Sequence, residues 1–481
     1  MQTTLRAKIK DQSVYPILDE MAVHLGQVRR ATFGEFNPMT RSVSEIKKDV
    51  IVNHGITARQ FNSLRYELQG VIKSNKEITI LQIEKIERKI KRKKEQLDKI
   101  WNPFKRHHLK RKIRGLETRL KKCADELEKA SICFGSRKLF YQQFHLEENG
   151  FGNHAEWKKE WEKARNSHFF LIGSKDESFG NQSCQMLPGR LQLRLTNTLA
   201  KVHGTTTVNI PVEFTYREEV IAYALSNQQA MNYRFVKEDN TWYVHLTTET
   251  VEAKKVTHRA YGALGIDLNP SCIAVTQIGS DDNLSHSWQV DLNLRGRTSE
   301  QAEATLGEEI SKLVRFAQEQ QIPIVIEELD FEKKKEELRS RHLNRMLSNF
   351  VYSSFSKIIS SQCYRGGVEL IRVNPAYTSV IGKTKFSEGY GLSTHMAAAF
   401  AIARRALGFG ERLRMKAQVH SPLPVIRNRG RHVWHDWGRL SRETKRKKLS
   451  SLRRQRSKRD RGDRRSSRST SCSGPPLHGL G

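Results

Sequence analysis

Apolar residues recur with helical spacing over residues 76–130 of this 481-residue chain. A first series follows a heptad repeat, and a second series, beyond the helix-breaking pair Asn102-Pro103, advances by steps of four and three. The members are Ile83, Ile86, Ile90, Leu97 and Ile100, then Leu109, Ile113, Leu116, Leu120, Cys123 and Leu127. Two such helices around a proline turn predict an antiparallel coiled-coil hairpin. Residues 1–75 form a mixed segment in which residues 58–74 show helical periodicity.

Strand-like alternation replaces the helical spacing farther along the chain. Leu191, Leu193 and Leu195 alternate with polar residues, which indicates a strand with one buried face. Three further strand candidates and one turn signal follow at residues 212–216, 233–237 and 242–247, with the turn at Glu238-Asp239-Asn240. With a linker region containing Gly and Trp residues before them, these strands predict a small antiparallel sheet or β-barrel domain over residues 131–258.

Strands and helices alternate from residue 259 onward. Three predicted strands are followed by helix, strand, helix, strand and helix. In chain order the elements are strands 263–267, 272–278 and 287–292, helix 300–320, strand 323–329, helix 341–364, strand 368–373 and helix 392–407. This is the order of RNase H-like domains, in which helices cover a mixed sheet, so residues 259–420 predict an α/β domain. The chain as a whole is expected to be a multidomain α+β protein.

The charge of the chain is strongly positive, with 84 Lys and Arg against 52 Asp and Glu and a net charge of +32. Such an excess attracts polyanions and favours nucleic acid as the partner. Half of the residues in 439–468 are Lys or Arg, so residues 421–481 predict a basic disordered tail. Outside residues 439–468 the chain still carries +20, so its basic character is not confined to the tail.

Basic side chains crowd the outer faces of the predicted hairpin and follow a glycine turn near residue 135. We predict that nucleic acid is bound by Lys89, Lys91, Arg92, Lys93, Lys94, Arg137 and Lys138. The alternative for the hairpin residues is a solvated coiled-coil face. No apolar run approaches the length of a membrane span, and anionic lipid is the weaker candidate partner because no amphipathic anchor is evident. The first ten residues lack an apolar signal core and the six cysteines show no CxxC spacing, which predicts an intracellular, reduced protein.

Two acidic residues end apolar strands of the C-terminal domain. Asp267 ends the strand that contains Gly265, and Glu327 directly follows Ile324-Val325-Ile326. A carboxylate in such a place is unfavourable unless it is paired or binds a metal, and hard oxygen ligands suit Mg²⁺ or Mn²⁺. The alternative for Asp267 is a cap of the following turn. Because adjacent strand residues point to opposite faces, only one of Glu327 and Glu328 can face Asp267, and we select Glu327.

The same segments resemble a known family. Gly265-Ile-Asp-Leu-Asn269, Ile326-Glu-Glu-Leu329 and Asn374-Pro-Ala-Tyr-Thr-Ser379 resemble the RuvC motif regions of TnpB/OrfB proteins, which are transposon-encoded, RNA-guided DNA endonucleases related to type V CRISPR effectors. The resemblance is strongest over residues 260–408 and only architectural before them. It implies a helical recognition lobe, a wedge-like β-barrel and a RuvC nuclease domain, with guide RNA, target DNA and Mg²⁺ or Mn²⁺. It also implies a bacterial, cytoplasmic, nucleoid-associated protein.

Two features depart from the family pattern. The four-cysteine zinc ribbon is missing beyond Ser379, and His395 stands where the last helix usually carries Asp, with Ser393 as its predicted N-cap. His395 has two interpretations. It is a third metal ligand, which favours Mn²⁺ over Mg²⁺, or it marks a lost ligand in a site that no longer cuts. Glu388, in the preceding loop, is an alternative acid.

The leading hypothesis is an RNA-guided, metal-dependent DNA endonuclease in which Asp267, Glu327 and His395 hold the metal ions. One alternative is a nuclease-dead accessory or regulatory protein that binds RNA and DNA through the same scaffold. The other is a transposase that joins strands, because RNase H-like folds support that chemistry with the same acids.

Overall fold

The computed structural model describes residues 1–328 apart from 38, 40, 270 and 295, residues 349–412, and residues 433–446 apart from 445. The described chain divides into two compact units, one of residues 2–250 and one of residues 251–481 together with Met1. Both contain helices and sheets, so the predicted mixed α+β class is confirmed. Predicted elements over residues 329–348 and the tail beyond residue 446 lie outside the described residues.

The N-terminal unit begins with a strand and a series of helices with defined caps. The elements are β1 (Gln2–Lys8), α1 (Tyr15–Thr32), α2 (Val43–His54), α3 (Ala58–Asp98) and α4 (Pro103–Glu128). Ser42 and Thr57 form capping boxes with Glu45 and Gln60, which satisfy backbone N–H groups at the starts of α2 and α3. Gly55 ends α2 in the left-handed conformation.

The two longest helices, α3 and α4, form a helical hairpin. α3 and α4 pack along a shared apolar seam that contains Ile86, Ile90, Leu109, Ile113 and Cys123. α4 starts with Pro103, and the side chain of Asn102 caps it by accepting a hydrogen bond from the N–H of Lys105. α3 runs without interruption through residue 75, where the sequence predicts a domain boundary, because an N-terminal extension of the same helix packs against the rest of this unit.

Seven strands of this unit form two antiparallel sheets. The first has the order β1-β7-β6-β2 and the second the order β3-β4-β5. The remaining ranges are β2 (His168–Leu171), β3 (Cys184–Leu187), β4 (Arg190–Arg194), β5 (Thr207–Pro211), β6 (Asn232–Glu238) and β7 (Thr241–Glu249). Asp239 and Asn240 both have positive φ and form the predicted turn between β6 and β7.

One strand predicted for these sheets is misplaced, and another strand was missed. The strand predicted at residues 212–216 lies earlier, at Thr207–Pro211, where backbone pairing with β4 is made. β1 was missed; it pairs with β7 from Gln2 opposite Glu249 to Lys8 opposite Tyr243. Its local signal is a short alternation of Leu5 and Ala7 with polar residues, and its pairing joins residues about 240 positions apart.

Four shorter helices complete the N-terminal unit: α5 (Arg137–Gln142), α6 (His154–Arg165), α7 (Asn197–His203) and α8 (Glu218–Ser226). Trp157 and Trp161 of α6 are buried and stack with their ring centroids 5.9 Å apart. The indole N–H of Trp157 donates to the carbonyl of Leu139 at 2.7 Å. These tryptophans therefore build the local core of this region.

A buried ionic cluster connects α1, α3 and β2 through Arg29, Glu67 and His168. Arg29 Nη1 donates to Glu67 Oε1 at 2.9 Å, and His168 Nε2 lies 3.1 Å from the same oxygen. Burial by itself raises the pKa of Glu67, but the hydrogen bond with His168 and the charges of Arg29 and His168 outweigh it and bring the pKa down to about 2. Ionised Glu67 therefore stabilises the fold above its ordinary pKa of 4.5.

We expect Glu67→Gln to destabilise the protein by about 3 kcal/mol at pH 7, because the buried Arg29 loses its counter-charge. In the unsubstituted protein the same stabilisation is lost as pH falls from 4.5 towards 2, and the variant lacks this pH dependence. Urea unfolding followed by circular dichroism at pH 7 and at pH 2.5 measures both effects. The control is Glu238→Gln, which breaks the exposed ion pair with Arg6 and is expected to change stability by less than about 1 kcal/mol. Equal effects of the two substitutions would contradict the prediction.

The C-terminal unit is built on a five-stranded sheet with the order β10-β9-β8-β11-β12. The strands are β8 (Ala263–Leu268), β9 (Cys272–Ile278), β10 (Leu284–Asp291), β11 (Ile324–Glu327) and β12 (Leu370–Val373). β10, β9 and β8 are antiparallel neighbours, whereas β11 is parallel to both β8 and β12. The three consecutive strands and the two later parallel strands follow the predicted order.

Helices cover both faces of this sheet. They are α9 (Ser299–Glu319), α10 (Asn349–Gly366), α11 (Thr378–Lys385) and α12 (Thr394–Ala406). One face packs on α9 and α10 through residues such as Leu264, Ile266 and Ile324, and the other packs on α11 and α12 through residues such as Ala263 and Val325. α11 was not predicted. The helices predicted at residues 300–320 and 392–407 correspond to α9 and α12.

Gly265 allows α12 to lie directly against β8. A Cβ atom at this position would overlap the carbonyl oxygen of Ala399 and lie 2.8 Å from the Cβ atom of Ala403. The predicted alanines of the last helix thus face a glycine, so helix and sheet backbones come into contact. Ser393 caps this helix as predicted, accepting a hydrogen bond from the N–H of Met396 at 3.2 Å.

We expect Gly265→Ala to lower the free energy of unfolding by about 3 kcal/mol, because backbone atoms on both sides must move to admit one methyl group. The matched control is Gly307→Ala in α9, where an added Cβ meets no atom within 4 Å. That substitution is expected to be neutral or to stabilise by up to about 1 kcal/mol. Thermal unfolding of the two variants measures the difference, and equal melting temperatures would show that β8 and α12 are not packed in this way.

Part of the predicted tail, residues 433–444, is folded. Residues 433–444 are helical, and Trp437 and Leu440 are buried in the cluster on the α12 face of the sheet. The indole N–H of Trp437 donates to the carbonyl of Glu411 at 3.0 Å. The prediction of disorder from residue 421 is therefore wrong for residues 433–444. The sequence prediction missed this helix because the surrounding residues are densely charged. Its apolar residues are Val433, Trp434, Trp437 and Leu440.

Candidate functional site

Asp267 lies near the end of β8, on the face covered by α12. Gly265, two residues earlier and therefore on the same face, meets Ala399 and Ala403 of that helix. The side chain of Asp267 is 13% exposed. The side-chain amide of Asn269 donates to Asp267 Oδ2 at 3.0 Å. Asn269 thus positions the carboxylate, a role that the sequence did not indicate, although Asn269 belongs to the same motif.

Glu327 ends the neighbouring parallel strand on the same face as Asp267. The last paired residues of the two strands are Ile326 and Ile266, so Glu327 and Asp267 follow at equivalent positions. Val325 packs in the cluster on the α12 face, and Glu327, two residues later, shares that face. Glu328 follows the end of β11 and is exposed, and its backbone N–H donates to the carbonyl of Val373 at 2.8 Å. Glu327, the residue selected from the sequence, therefore shares the face of Asp267, as the alternation of side chains along a strand requires.

Thr378, the first residue of α11, was missed by sequence reasoning. Its buried hydroxyl donates a hydrogen bond to Glu327 Oε1 and is also 3.2 Å from the carbonyl of Pro375. The preceding Tyr377 has a positive φ of 62°, and this turn brings the start of α11 over the end of β11. The available signal was the Tyr-Thr-Ser stretch itself, which the family resemblance singles out without giving Thr378 a role.

His395 lies in the first turn of α12 and reaches Asp267. Its Nδ1 atom is 3.4 Å from Asp267 Oδ2, and its side chain is half exposed. The N-cap at Ser393 and the contact of the helix with Gly265 set this position. The structure therefore brings the three predicted site residues to one end of the sheet. Glu388 is exposed in the loop between α11 and α12.

The side chains at this end of the sheet provide hard donors for a divalent cation. Two carboxylates stand at equivalent ends of adjacent parallel strands, which is a donor set that suits Mg²⁺ or Mn²⁺. Among the residues that the structure describes, no group of three or more His, Cys, Asp or Glu side chains is arranged to hold a metal ion. The fit thus rests on Asp267 and Glu327, and His395 contacts the first of these.

The predicted nucleic-acid contacts lie on exposed surfaces of the N-terminal unit. On α3 the side chain of Lys93 is half-buried and that of Lys94 lies 3.2 Å from Glu117 across the hairpin. The exposed members of the set are Lys89, Lys91, Arg92, Lys94, Arg137 and Lys138. The last two occupy the first turn of α5, which Ser136 caps, so the predicted glycine turn leads directly into a helix.

No helix within the described ranges combines the length and apolar character needed to cross a membrane. No protein-family model matches the chain, and no curated protein matches it. Solved structures give weak likenesses. RuvC of Thermus thermophilus with a Holliday junction substrate is 15% identical, with a TM-score of 0.23, and covers 29% of this chain and 89% of its own. The structure of a Cas12f1–sgRNA–target DNA complex is 10% identical, with a TM-score of 0.35, and covers 84% of this chain and 98% of its own.

A second Cas12f complex is 13% identical, with a TM-score of 0.23, and covers 83% of this chain and 98% of its own. Because these TM-scores are below 0.5, the likenesses carry no weight for the activity of this chain. The chemistry of the site is therefore inferred from the contacts that Asp267, Glu327 and His395 make within this chain.

Proposed function

We propose that this protein is a divalent-metal-dependent DNA endonuclease of the RuvC type, guided by RNA and related to the TnpB/OrfB proteins of transposons. The observation that carries the proposal is the placement of Asp267 and Glu327 at equivalent ends of adjacent parallel strands, on the face where α12 brings in His395. Two carboxylates at the ends of apolar strands are unfavourable unless they are paired or serve a bound metal.

Asp267 and Glu327 would hold the metal, and the bound metal would supply an activated water and charge stabilisation for phosphodiester hydrolysis. Asn269 and Thr378 orient the two carboxylates through hydrogen bonds. These contacts fix ligand orientation before substrate arrives, as outer partners of metal ligands do. His395, whose Nδ1 lies 3.4 Å from Asp267 Oδ2, is proposed as the third residue that would hold the metal.

The N-terminal unit is proposed to hold the guide and the target. Its basic hairpin, a proposed coiled coil, would act as the recognition arm. Its two antiparallel sheets would form the wedge-like domain. The net charge of +20 that the chain carries outside residues 439–468 supports this role, because Lys and Arg side chains neutralise phosphates and release counterions. On this proposal the protein acts in the cytoplasm of a bacterium, at the nucleoid.

The deciding experiment is purification of the full chain expressed with its flanking genomic DNA, followed by sequencing of co-purified RNA. Cleavage of a DNA library matching that RNA is then measured in Mg²⁺ and in Mn²⁺. We expect RNA-dependent cleavage that needs the metal. A Mn²⁺ preference that disappears in His395→Asp would identify His395 as a ligand, because imidazole favours Mn²⁺ over Mg²⁺.

The second candidate is a nuclease-dead, guide-directed DNA-binding protein. The contact of His395 with Asp267, where the family pattern has a third acid, is the observation that favours it. RNA-dependent DNA binding without cleavage in either metal would establish this alternative. Metal-dependent strand cleavage by the pure protein would exclude it.

A further inference from the structure

Two aromatic side chains project into solvent at the turn of the helical hairpin. Trp101 is 94% exposed and Phe104 is 82% exposed. By contrast Trp157, Trp161, Trp242 and Trp437 are buried. We define the hairpin tip as residues 99–106, which comprise the connection between α3 and α4 and the first turn of α4. Exposed aromatic side chains of this size at one site indicate a contact with a partner.

The hairpin tip is held in a defined conformation. Arg106 Nη1 donates to the carbonyls of Leu97 at 2.8 Å and Ile100 at 2.9 Å, at the end of α3. On the other side, Asn102 caps α4 and Pro103 occupies its first position. The two aromatic rings therefore project from a turn whose backbone is fixed at both ends, and little backbone freedom is lost when they bind.

Positive charge is concentrated around the hairpin tip. Of residues 88–114, thirteen are Lys or Arg and two are acidic, whereas residues 115–130 contain four basic and four acidic residues. The aromatic pair thus lies at the middle of the basic half of the hairpin. Apolar residues of the same helices face the seam between α3 and α4, so the tip presents no apolar helix face of the kind that membrane insertion uses.

We propose that Trp101 and Phe104 stack on unpaired bases of a nucleic-acid strand whose phosphates contact the Lys and Arg residues beside the tip. Aromatic rings surrounded by cations are the combination that binds single strands without sequence preference. The bases within a fully paired duplex are already stacked on one another, so these rings have no base to stack on. This inference rests on the nucleic-acid binding of the proposed function but not on its nuclease chemistry, and it gives the hairpin a role beyond backbone attraction.

The test uses the full chain, its Trp101→Phe, Trp101→Ala and Phe104→Ala variants, and two probes of equal length: a single-stranded oligothymidylate and a duplex DNA. The fluorescence lost in Trp101→Phe reports Trp101 alone. We expect the single strand to quench this component and Trp101→Ala to weaken single-strand binding about tenfold, with Trp101→Phe closer to the unsubstituted protein. Duplex binding is expected to change less than twofold.

The salt dependence of binding separates stacking from charge. Trp101→Ala is expected to leave the slope of log K against log salt unchanged, because no ion contact is lost. The control carrying both Lys89→Ala and Lys91→Ala is expected to make the negative slope for single strands shallower by about 1.4, because each phosphate contact contributes about 0.7 to its magnitude. The tip residues lie in solvent, so circular dichroism is expected to show all variants folded.

Each contrary outcome has a distinct meaning. Single-strand binding that is unchanged in both alanine variants, or an equal loss for duplex, overturns the inference and leaves the proposed function in place. A blue shift of Trp101 with phosphatidylserine vesicles but not with oligothymidylate overturns it in favour of membrane contact. If the unsubstituted protein binds neither oligonucleotide, the inference and the proposed function both fail.

Discussion

Asp267→Asn is expected to lower metal-dependent DNA cleavage by at least about 10³-fold, because loss of one ligating carboxylate removes several kcal/mol of transition-state stabilisation. Asn keeps the size and shape of Asp and an oxygen that can accept from Asn269 Nδ2, whose present distance to Asp267 Oδ2 is 3.0 Å. The packing of β8 against α12 depends on Gly265 and is not disturbed. Binding of guide RNA and DNA is expected to change less than twofold.

The matched control for Asp267→Asn is Asp291→Asn. Asp291 ends the edge strand β10, is exposed, and undergoes the same change of charge in the same unit. We expect its cleavage rate to remain within about twofold of the unsubstituted protein. The measurement is single-turnover cleavage of guide-matched DNA in Mg²⁺ and in Mn²⁺. Full activity of Asp267→Asn in both metals would remove Asp267 from the site and with it the proposed mechanism.

Glu327→Gln is expected to reduce cleavage by a similar factor of about 10³ while Glu328→Gln leaves it nearly unchanged. The two residues are adjacent and chemically identical, but adjacent residues of an extended chain point in opposite directions. Glu327 shares the face of Val325 and receives a hydrogen bond from Thr378, whereas Glu328 is exposed. The two substitutions remove the same charge at adjacent positions, so a difference in cleavage reports the position of the side chain and not its charge.

The comparison of Glu327→Gln with Glu328→Gln is read from the same single-turnover assay, with thermal unfolding of each variant as the check on folding. Gln at position 327 can still accept the hydrogen bond from Thr378, so its melting temperature is expected to stay near that of Glu328→Gln. Equal loss of activity in the two variants would contradict the assignment of the site to the α12 face. Loss in Glu328→Gln alone would transfer the site to the opposite face.

The sequence determined the order of the elements wherever a local pattern was complete. Apolar runs located β8, β9 and β11 and the acids at the ends of β8 and β11, and the predicted helices at residues 300–320 and 392–407 correspond to α9 and α12. The heptad series indicated the seam of the hairpin, with Pro103 at its turn. These signals are local because each records which face of a single element is buried.

Local patterns failed where a long-range contact or a dense charge dominated. β1 is stabilised by pairing with β7, far away in the chain, and its own alternation of Leu5 and Ala7 with polar residues is too short to distinguish it as a strand. The helix over residues 433–444 was hidden among basic residues, although Trp437 is fully buried in the sheet core. In each case a small number of contacts outweighs the average composition of the segment.

The candidate site divides in the same way between sequence and tertiary structure. Sequence pattern and resemblance selected Asp267, Glu327 and His395, because a carboxylate that ends an apolar strand is unusual in itself. Only the tertiary structure decided that the three lie at one end of the sheet, that Thr378 donates a hydrogen bond to Glu327, and that His395 contacts Asp267. Periodicity reports whether a side chain is buried or exposed, whereas its neighbours depend on strand register and helix docking, which arise from contacts between residues distant in the chain.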